Sequence, residues 1–327
     1  MIYSLAITGP TASGKTSISI ELARFLSAEI ICCDSMQIYK EMDIGTAKAT
    51  SAERAAVPHH LLDFLSPKET FSAEEYRKMA LSVASEISER GCLPMFVGGT
   101  GLYIDTVMRP SQTEVPESSR EYRDRMMESV KTEEDILTLW QRLFSVDPES
   151  AEVIHKNNVR RVIRALEIYD ATGKPKSYFD KLSRLGNSEI KVGMITLDFH
   201  NRDNLYERVD RRVDEMMEAG LVSEVSSLYA RGLLEKHTTA AQAIGYKEII
   251  SYLDGAVTLN DAVDELKLST RRYAKRQLTW FRHEKDAYRL YLDSESGAMR
   301  EKNEIIKEAA EAAQQLIEGF KNESNRT

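Results

Sequence analysis

Gly9-Pro10-Thr11-Ala12-Ser13-Gly14-Lys15-Thr16 places two glycines, a lysine and a hydroxyl at the spacing that grips a phosphate. The glycines let backbone N–H groups turn inward around an anion, and the helix that follows adds its free N–H groups and the positive end of its dipole. Lys15 is expected to reach the outer phosphate oxygens, and the Thr16 hydroxyl to be the protein's ligand to Mg2+. The loop alone leaves open whether that phosphate is the tail of a nucleotide fuel or a leaving group in another transfer. Asp34 closes a second apolar run and opens the polar stretch Asp34-Ser35-Met36-Gln37; Thr100 lies in Gly98-Gly99-Thr100-Gly101 after a third. A nucleotide-hydrolysing enzyme needs an acid at such a strand end, and "FVGGTG" has none. A carboxylate and a hydroxyl facing an anion grip suit transfer to an acceptor held between them. Each also has a plain structural reading: an Asx turn for Asp34, a helix N-cap for Thr100.

These groups need strands to carry them. Ile2–Thr8, Ala28–Cys33 and Leu93–Val97 are short apolar runs of strand length. Helical spacing covers residues 14–26, and the capping box Ser72-Ala-Glu-Glu75 starts a helix that Gly91 should stop. Strand and helix alternate over the first 108 residues, which predicts a parallel sheet covered on both faces, with the loop, Asp34 and Thr100 at the carboxyl ends of its strands. Near residue 110 the composition turns polar with two prolines, and Arg120 to Gly173 reads as helix only. Residues 173–189 read as irregular. Lys191–Phe199 is expected to return to the parent sheet. Helices are then expected over 201–231 (interrupted near Gly220), 239–253 and 260–284, a last strand over 287–292, and a terminal helix over 297–320. The reading is therefore an α/β fold, a P-loop NTPase-like parallel sheet core over residues 1–111 and 191–327 flanked by helices, with an all-helical insertion at 112–190.

The 327 residues carry a net charge of −8, which argues against a generally basic nucleic-acid coat. Two stretches break that average. "HKNNVRRVIRAL" holds Lys156, Arg160, Arg161 and Arg164 without an acid, and "RRYAKRQLTWFRHEKDAYR" holds seven Lys or Arg against two acids, with Tyr273, Trp280 and Phe281 interleaved. Cations neutralise backbone phosphates and aromatic faces accept unstacked bases, so the pair points to RNA held between two jaws; a charge run can also be a solvated helix face. The three cysteines have no C-x-x-C spacing and the six histidines no ligand pattern, which predicts no disulfide frame and no zinc site. No apolar run approaches membrane-spanning length, so the expectation is a cytoplasmic protein, with no membrane partner. A small-molecule P-loop kinase and an RNA-binding ATPase module remain alternatives on these residues.

"GPTASGKT", "ICCDSMQIYKEMDIGTAK", "VPHHLLD", "FVGGTGLYI", "RRVIRALEIY", "AIGYKEI" and "KRQLTWFR" together, in order over residues 3–293, closely resemble the bacterial tRNA dimethylallyltransferases, or tRNA isopentenyltransferases. The resemblance implies that the loop, Gly9 to Thr16, holds the diphosphate of dimethylallyl diphosphate, with Mg2+ as cofactor, and that the acceptor is N6 of the adenine next to the anticodon, on its 3′ side. It implies Asp34 as general base, Thr100 as the hydroxyl near the target nucleotide, and Arg212 as an arginine facing the diphosphate. It further implies contacts to a tRNA anticodon stem-loop from Ser35, Met36, Gln37, Arg123, Arg160, Arg161, Arg164, Lys275, Arg276, Gln277 and Arg282, on a monomer. A relative that prenylates free adenine nucleotides is the close alternative, and the full insertion and both basic stretches favour RNA.

Overall fold

β1 (Ile2–Thr8), β2 (Ala28–Cys32), β3 (His59–His60), β4 (Leu93–Gly98), β5 (Ile190–Asp198) and β6 (Tyr288–Tyr291) form one sheet in the order β3-β2-β4-β1-β5-β6, every neighbouring pair parallel. They are seen in a computed structural model that describes residues 1–108, 119–185, 188–235 and 237–324. Successive strand residues point to opposite faces, and here both faces are dry. Leu5 and Ile7 of β1, Ile30 of β2, Met95 and Val97 of β4, and Ile195 and Leu197 of β5 enter one core. Ala6, Ile31, Phe96 and Met194 enter the other. Unbroken apolar runs, rather than alternating ones, are what such two-sided burial requires.

The chain divides into two compact units, Met1–Met108 with Glu189–Thr327, and Arg109–Ser188. In the first, helices Lys15–Leu26 and Lys302–Ser324 cover one face of the sheet and Ala73–Glu89 and Gly101–Met108 the other. The Ser72–Glu75 capping box forms as the spacing requires, both reciprocal bonds being present. The terminal helix, for which the sequence suggests no role, is a lid on the sheet: Ile305, Ala309, Ala312 and Ala313 are buried in the core, and Phe320 stacks on Tyr3 with ring centroids 5.2 Å apart. The second unit packs helices Arg120–Ser129, Glu133–Val146, Pro148–Val153, Val159–Thr172 and Lys176–Leu185. Its own core holds Leu139, Leu143, Ile154, Val162, Ile163 and Leu166.

Several expectations are corrected. Residues 173–189 are not irregular, since Lys176–Leu185 is helical. Pro175 stands just before it, where a fixed φ and a missing N–H cost nothing, and Phe179 is buried. The helix expected over 239–253 begins only at Tyr246, because Gly245 takes φ 96° and breaks the run before it. The terminal helix starts at Lys302 rather than Gly297. Ahead of it, Ser294 N–H donates to the Ala298 carbonyl and Arg300 N–H to the Leu292 carbonyl, closing a turn. β3, two residues at the sheet edge, is too short to carry a periodic signal. The polar connection at 109–118, and with it the boundary expected at 111/112, lies outside the described residues, as does the end of the tail. Among the described residues no helix is long and apolar enough to cross a membrane.

Candidate active site

Four adjacent strands, β2, β4, β1 and β5, end on the same side of the sheet, and each delivers one part of a crevice. β1 runs into the loop at residues 9–14. Gly14 takes φ 88° just before the helix at Lys15, a left-handed turn that a side chain would strain. Lys15 folds back over its own loop, its Nζ donating to the carbonyls of Gly9 at 3.1 Å and Pro10 at 2.8 Å. Burial pulls its pKa from 10.5 to about 8; Asp34 opposes that pull and Arg212 adds to it. Among the described residues, two buried polar atoms here have no hydrogen-bond partner, Ser13 Oγ and Arg212 Nε. Orphaned buried groups are rare, and a pair of them around a lysine-bearing loop marks a place for an anion.

Arg212 comes from helix Arg202–Glu218, which follows β5. Burial lowers its pKa, again against the pull of Asp34. One turn earlier on the same helix, Arg208 donates from Nε to the Ala12 carbonyl at 2.8 Å. Sequence reasoning missed Arg208, although its i,i+4 spacing to Arg212 in "ERVDRR" was signal enough that both share a helix face.

β2 ends at the corner that bears Asp34, and β4 at the Gly98–Gly101 turn. Asp34 Oδ1 accepts from Met36 N–H at 2.9 Å, so the Asx turn is real and occupies one carboxylate oxygen. Thr100 is not a side-chain N-cap. Its carbonyl accepts from Tyr103 and Ile104 N–H, while its Oγ1 accepts from Ser35 N–H at 3.0 Å. The Thr100 hydroxyl therefore ties the β4 turn to the Asp34 corner. Tyr273, from helix Leu259–Arg282, lies beside Thr100; burial, then Asp34, hold its phenol above the usual range and therefore neutral. Ser35 and Gln37 prove to be connectors: Gln37 Nε2 donates to the Thr46 and Ala47 carbonyls. Met36 packs at the margin of a third core around Ile38, Tyr39 and Tyr246.

The expected RNA-facing cations separate into free and committed ones. In the insertion, Arg160 and Arg161 are exposed, whereas Arg164 bonds Glu167 at 2.6 Å. Arg123 bonds the Ser119 carbonyl. On helix Leu259–Arg282, Lys275 and Arg276 are exposed, with Arg276 over the Tyr273 ring. Arg271 is held by Asp210 and Lys267 by Asp214. Two residues are also engaged inside the fold. Gln277 is 5% exposed, and both ends of its amide are used inside the fold. Arg282 grips Asp198 with Nη2–Oδ1 at 2.7 Å and Nε–Oδ2 at 2.9 Å, and Asp198 is 1% exposed. Its charge is neutralised internally, a partner 84 residues away that no local pattern signals.

That commitment gives a test. Lys275→Ala with Arg276→Ala should weaken tRNA binding and reduce the slope of log affinity against log salt by about one to two units, measured by filter binding over a salt series. Arg282→Ala should instead lower stability by about 3 kcal/mol in urea unfolding, because it strands a buried carboxylate.

The profile of the IPP transferase family matches residues 37–284. A tRNA dimethylallyltransferase of Thermoanaerobacter sp. (strain X514) is 47% identical over 282 residues, 86% of this chain and 89% of that protein. One from Bacillus subtilis (strain 168) is 50% identical over 279 residues, 85% of this chain and 87% of that one. The crystal structure of a full-length tRNA isopentenylpyrophosphate transferase from Bacillus halodurans superposes with a TM-score of 0.72 at 42% identity, over 99% of this chain and 100% of that one. A eukaryotic dimethylallyltransferase solved acting on tRNA gives 0.75 at 30% identity, over 89% of this chain and 74% of the other. With the anion loop, the Asp34 corner and the Thr100 turn assembled at one edge of the sheet, and with relatives this near over this much of its length, the chain belongs to the IPP transferase family of tRNA dimethylallyltransferases.

Proposed function

We propose that the protein transfers the dimethylallyl group of dimethylallyl diphosphate to N6 of the adenine adjoining the anticodon on its 3′ side, releasing diphosphate into the loop at residues 9–16. One observation carries the reading: two half-buried cations, Lys15 and Arg212, face the carboxylate of Asp34 at the strand ends. A phosphoryl-transfer machine would instead place an acid to hold its metal. β4 ends in glycine and threonine, and the acid that ends β5, Asp198, is locked to Arg282.

The chemistry follows from the weakness of the nucleophile. The lone pair of an exocyclic adenine amine is delocalised into the ring, so the allylic C1–O bond must be substantially broken as N6 approaches. Negative charge then grows on the departing diphosphate, where Lys15, Arg212, Ser13 Oγ and the loop N–H groups stabilise it more than they stabilise the ground state. The C1–O bond breaks, the C1–N6 bond forms, and the N6 proton passes to the free oxygen of Asp34 and on to solvent. Thr100, bonded to Ser35, is held where it can orient the acceptor. The adenine must leave its stack to enter the crevice, so the nucleotide flips.

The described residues offer no cluster of three or more His, Cys, Asp or Glu for a metal. The donor set, a lone Thr16 hydroxyl at the first turn of helix Lys15–Leu26, suits Mg2+ that arrives on the diphosphate and keeps phosphate oxygens and water as its other ligands. Mg2+ so bound would lower the charge of the leaving group.

The test is incubation of purified protein with labelled dimethylallyl diphosphate, Mg2+ and undermodified tRNA, without ATP, followed by nuclease digestion. Label on a single adenosine beside the anticodon is expected. Label on free AMP in preference to tRNA, or a requirement for ATP with ADP formation, would overturn the reading.

A further inference from the structure

We propose that Gln277 is a positioning residue for the transfer, its amide strapping the loop that holds the leaving group to the turn that holds the acceptor. Gln277 Oε1 accepts from Thr11 N–H at 2.8 Å, and Gln277 Nε2 donates to the Gly99 carbonyl at 2.9 Å. Thr11 lies in the anion loop, and Gly99 is next to Thr100. Beyond the Thr8–Gly98 pair that ends the β1–β4 ladder, this amide is the link between the two loops among the described residues.

The residue type suits the task. A primary amide carries an acceptor and a donor on opposite sides of one planar, uncharged group. An N–H on one loop and a C=O on the other fix its orientation, since a flipped amide would set donor against donor and acceptor against acceptor. The fit is also steric. A Cβ on Gly99 would lie 2.2 Å from Gln277 Nε2, and one on Gly101 would lie 2.3 Å from Trp280 Nε1. Tyr273, Gln277 and Trp280 are spaced four and three apart, so one stripe of helix Leu259–Arg282 bears on the whole acceptor turn: Tyr273 on Thr100, Gln277 on Gly99, Trp280 on Gly101. The outer side of the same helix exposes Lys275 and Arg276.

Each loop is anchored to its own strand, but the atoms that react are carried past the strand ends. Their separation is set by whatever ties the loops together there. A misplacement of about 1 Å costs on the order of 10²-fold in rate while leaving the binding of each partner nearly intact. A strap therefore shows itself in the chemical step, an RNA contact in tRNA affinity, and a merely structural residue in stability alone.

The proposal rests on the transfer reading above, and the wild-type protein in the same assay separates the two: no transfer by wild type defeats that reading, not this one. Gln277→Met keeps length and loses both bonds; Gln277→Glu keeps the bond from Thr11 N–H and opposes the Gly99 carbonyl. Single-turnover transfer is measured with donor and tRNA both saturating, beside affinities for inorganic diphosphate and for tRNA and the thermal midpoint. The expected result is a rate loss of about 10- to 100-fold for Gln277→Met and a smaller loss for Gln277→Glu, with both affinities within about threefold of wild type. If Gln277→Met does not fold, Gln277→Glu, with half the strap, carries the same comparison. Wild-type single-turnover rates in a folded variant, or a loss located wholly in tRNA affinity, would overturn the proposal.

Discussion

Lys15→Met will slow prenyl transfer by about 10³-fold and, in the same protein, stabilise the ligand-free fold. Burial lowers the Lys15 pKa from 10.5 to about 8, a cost of about 3 kcal/mol for carrying the charge at neutral pH. Between about pH 8 and 10.5 the unfolded chain keeps this proton and the folded chain does not. Wild-type stability therefore rises with pH across that window, and below pH 8 the full penalty stands. Methionine removes the penalty and also the bonds to the Gly9 and Pro10 carbonyls, worth about 1 kcal/mol each, which leaves a net gain of about 1 kcal/mol at pH 7. Transfer loses a cation aimed at growing negative charge and should fall by about 10³-fold. Urea unfolding at pH 7 and single-turnover transfer check both halves. A variant that is inactive and also less stable would mean that the lysine holds the loop together rather than straining it.

Asp34→Asn will slow transfer by about 10²-fold or more, because an amide cannot take the N6 proton. Asn still accepts from Met36 N–H, so the Asx turn survives and the loss reports chemistry rather than unfolding. The same substitution has a second, directional effect. Asp34 is the charge that holds the Lys15 pKa up against burial. Diphosphate binding should weaken in the wild type as pH rises through about 8, where Lys15 loses its proton, and in Asp34→Asn that weakening should begin at lower pH. Calorimetric titration with inorganic diphosphate from pH 6 to 9 measures it. An unshifted profile, or near-normal transfer, would remove Asp34 from the site.

Lys15, Asp34 and Arg212 come from three separate parts of the chain. The anion loop was fully legible. Its grip depends on the φ of Gly14, on backbone N–H groups and on a helix start, all set by consecutive residues. The strands were legible because burial on both faces demands unbroken apolar runs, and the capping box at Ser72 because its partners are three residues apart. The helix at Lys176–Leu185 was hidden by a polar composition between Gly173 and Gly186. Its content of charge was real, but Phe179 is buried, Ser177 N–H donates to Asp147 Oδ2 and Lys181 pairs with Glu149.

The sequence by itself determined a phosphate-loop motif at the end of a first strand, a parallel sheet behind it, and a carboxylate and a hydroxyl beyond two further strands. Only the tertiary structure decided which cations stay available and which are consumed. Arg208 reaches the loop from 196 residues away, Gln277 from 266, and Arg282 is spent on Asp198. The physical reason is range. Local geometry follows from neighbouring dihedrals and hydrogen bonds, whereas the partner of a charge or an amide is whatever folding brings within about 3 Å of it, and nothing in the adjoining residues encodes that.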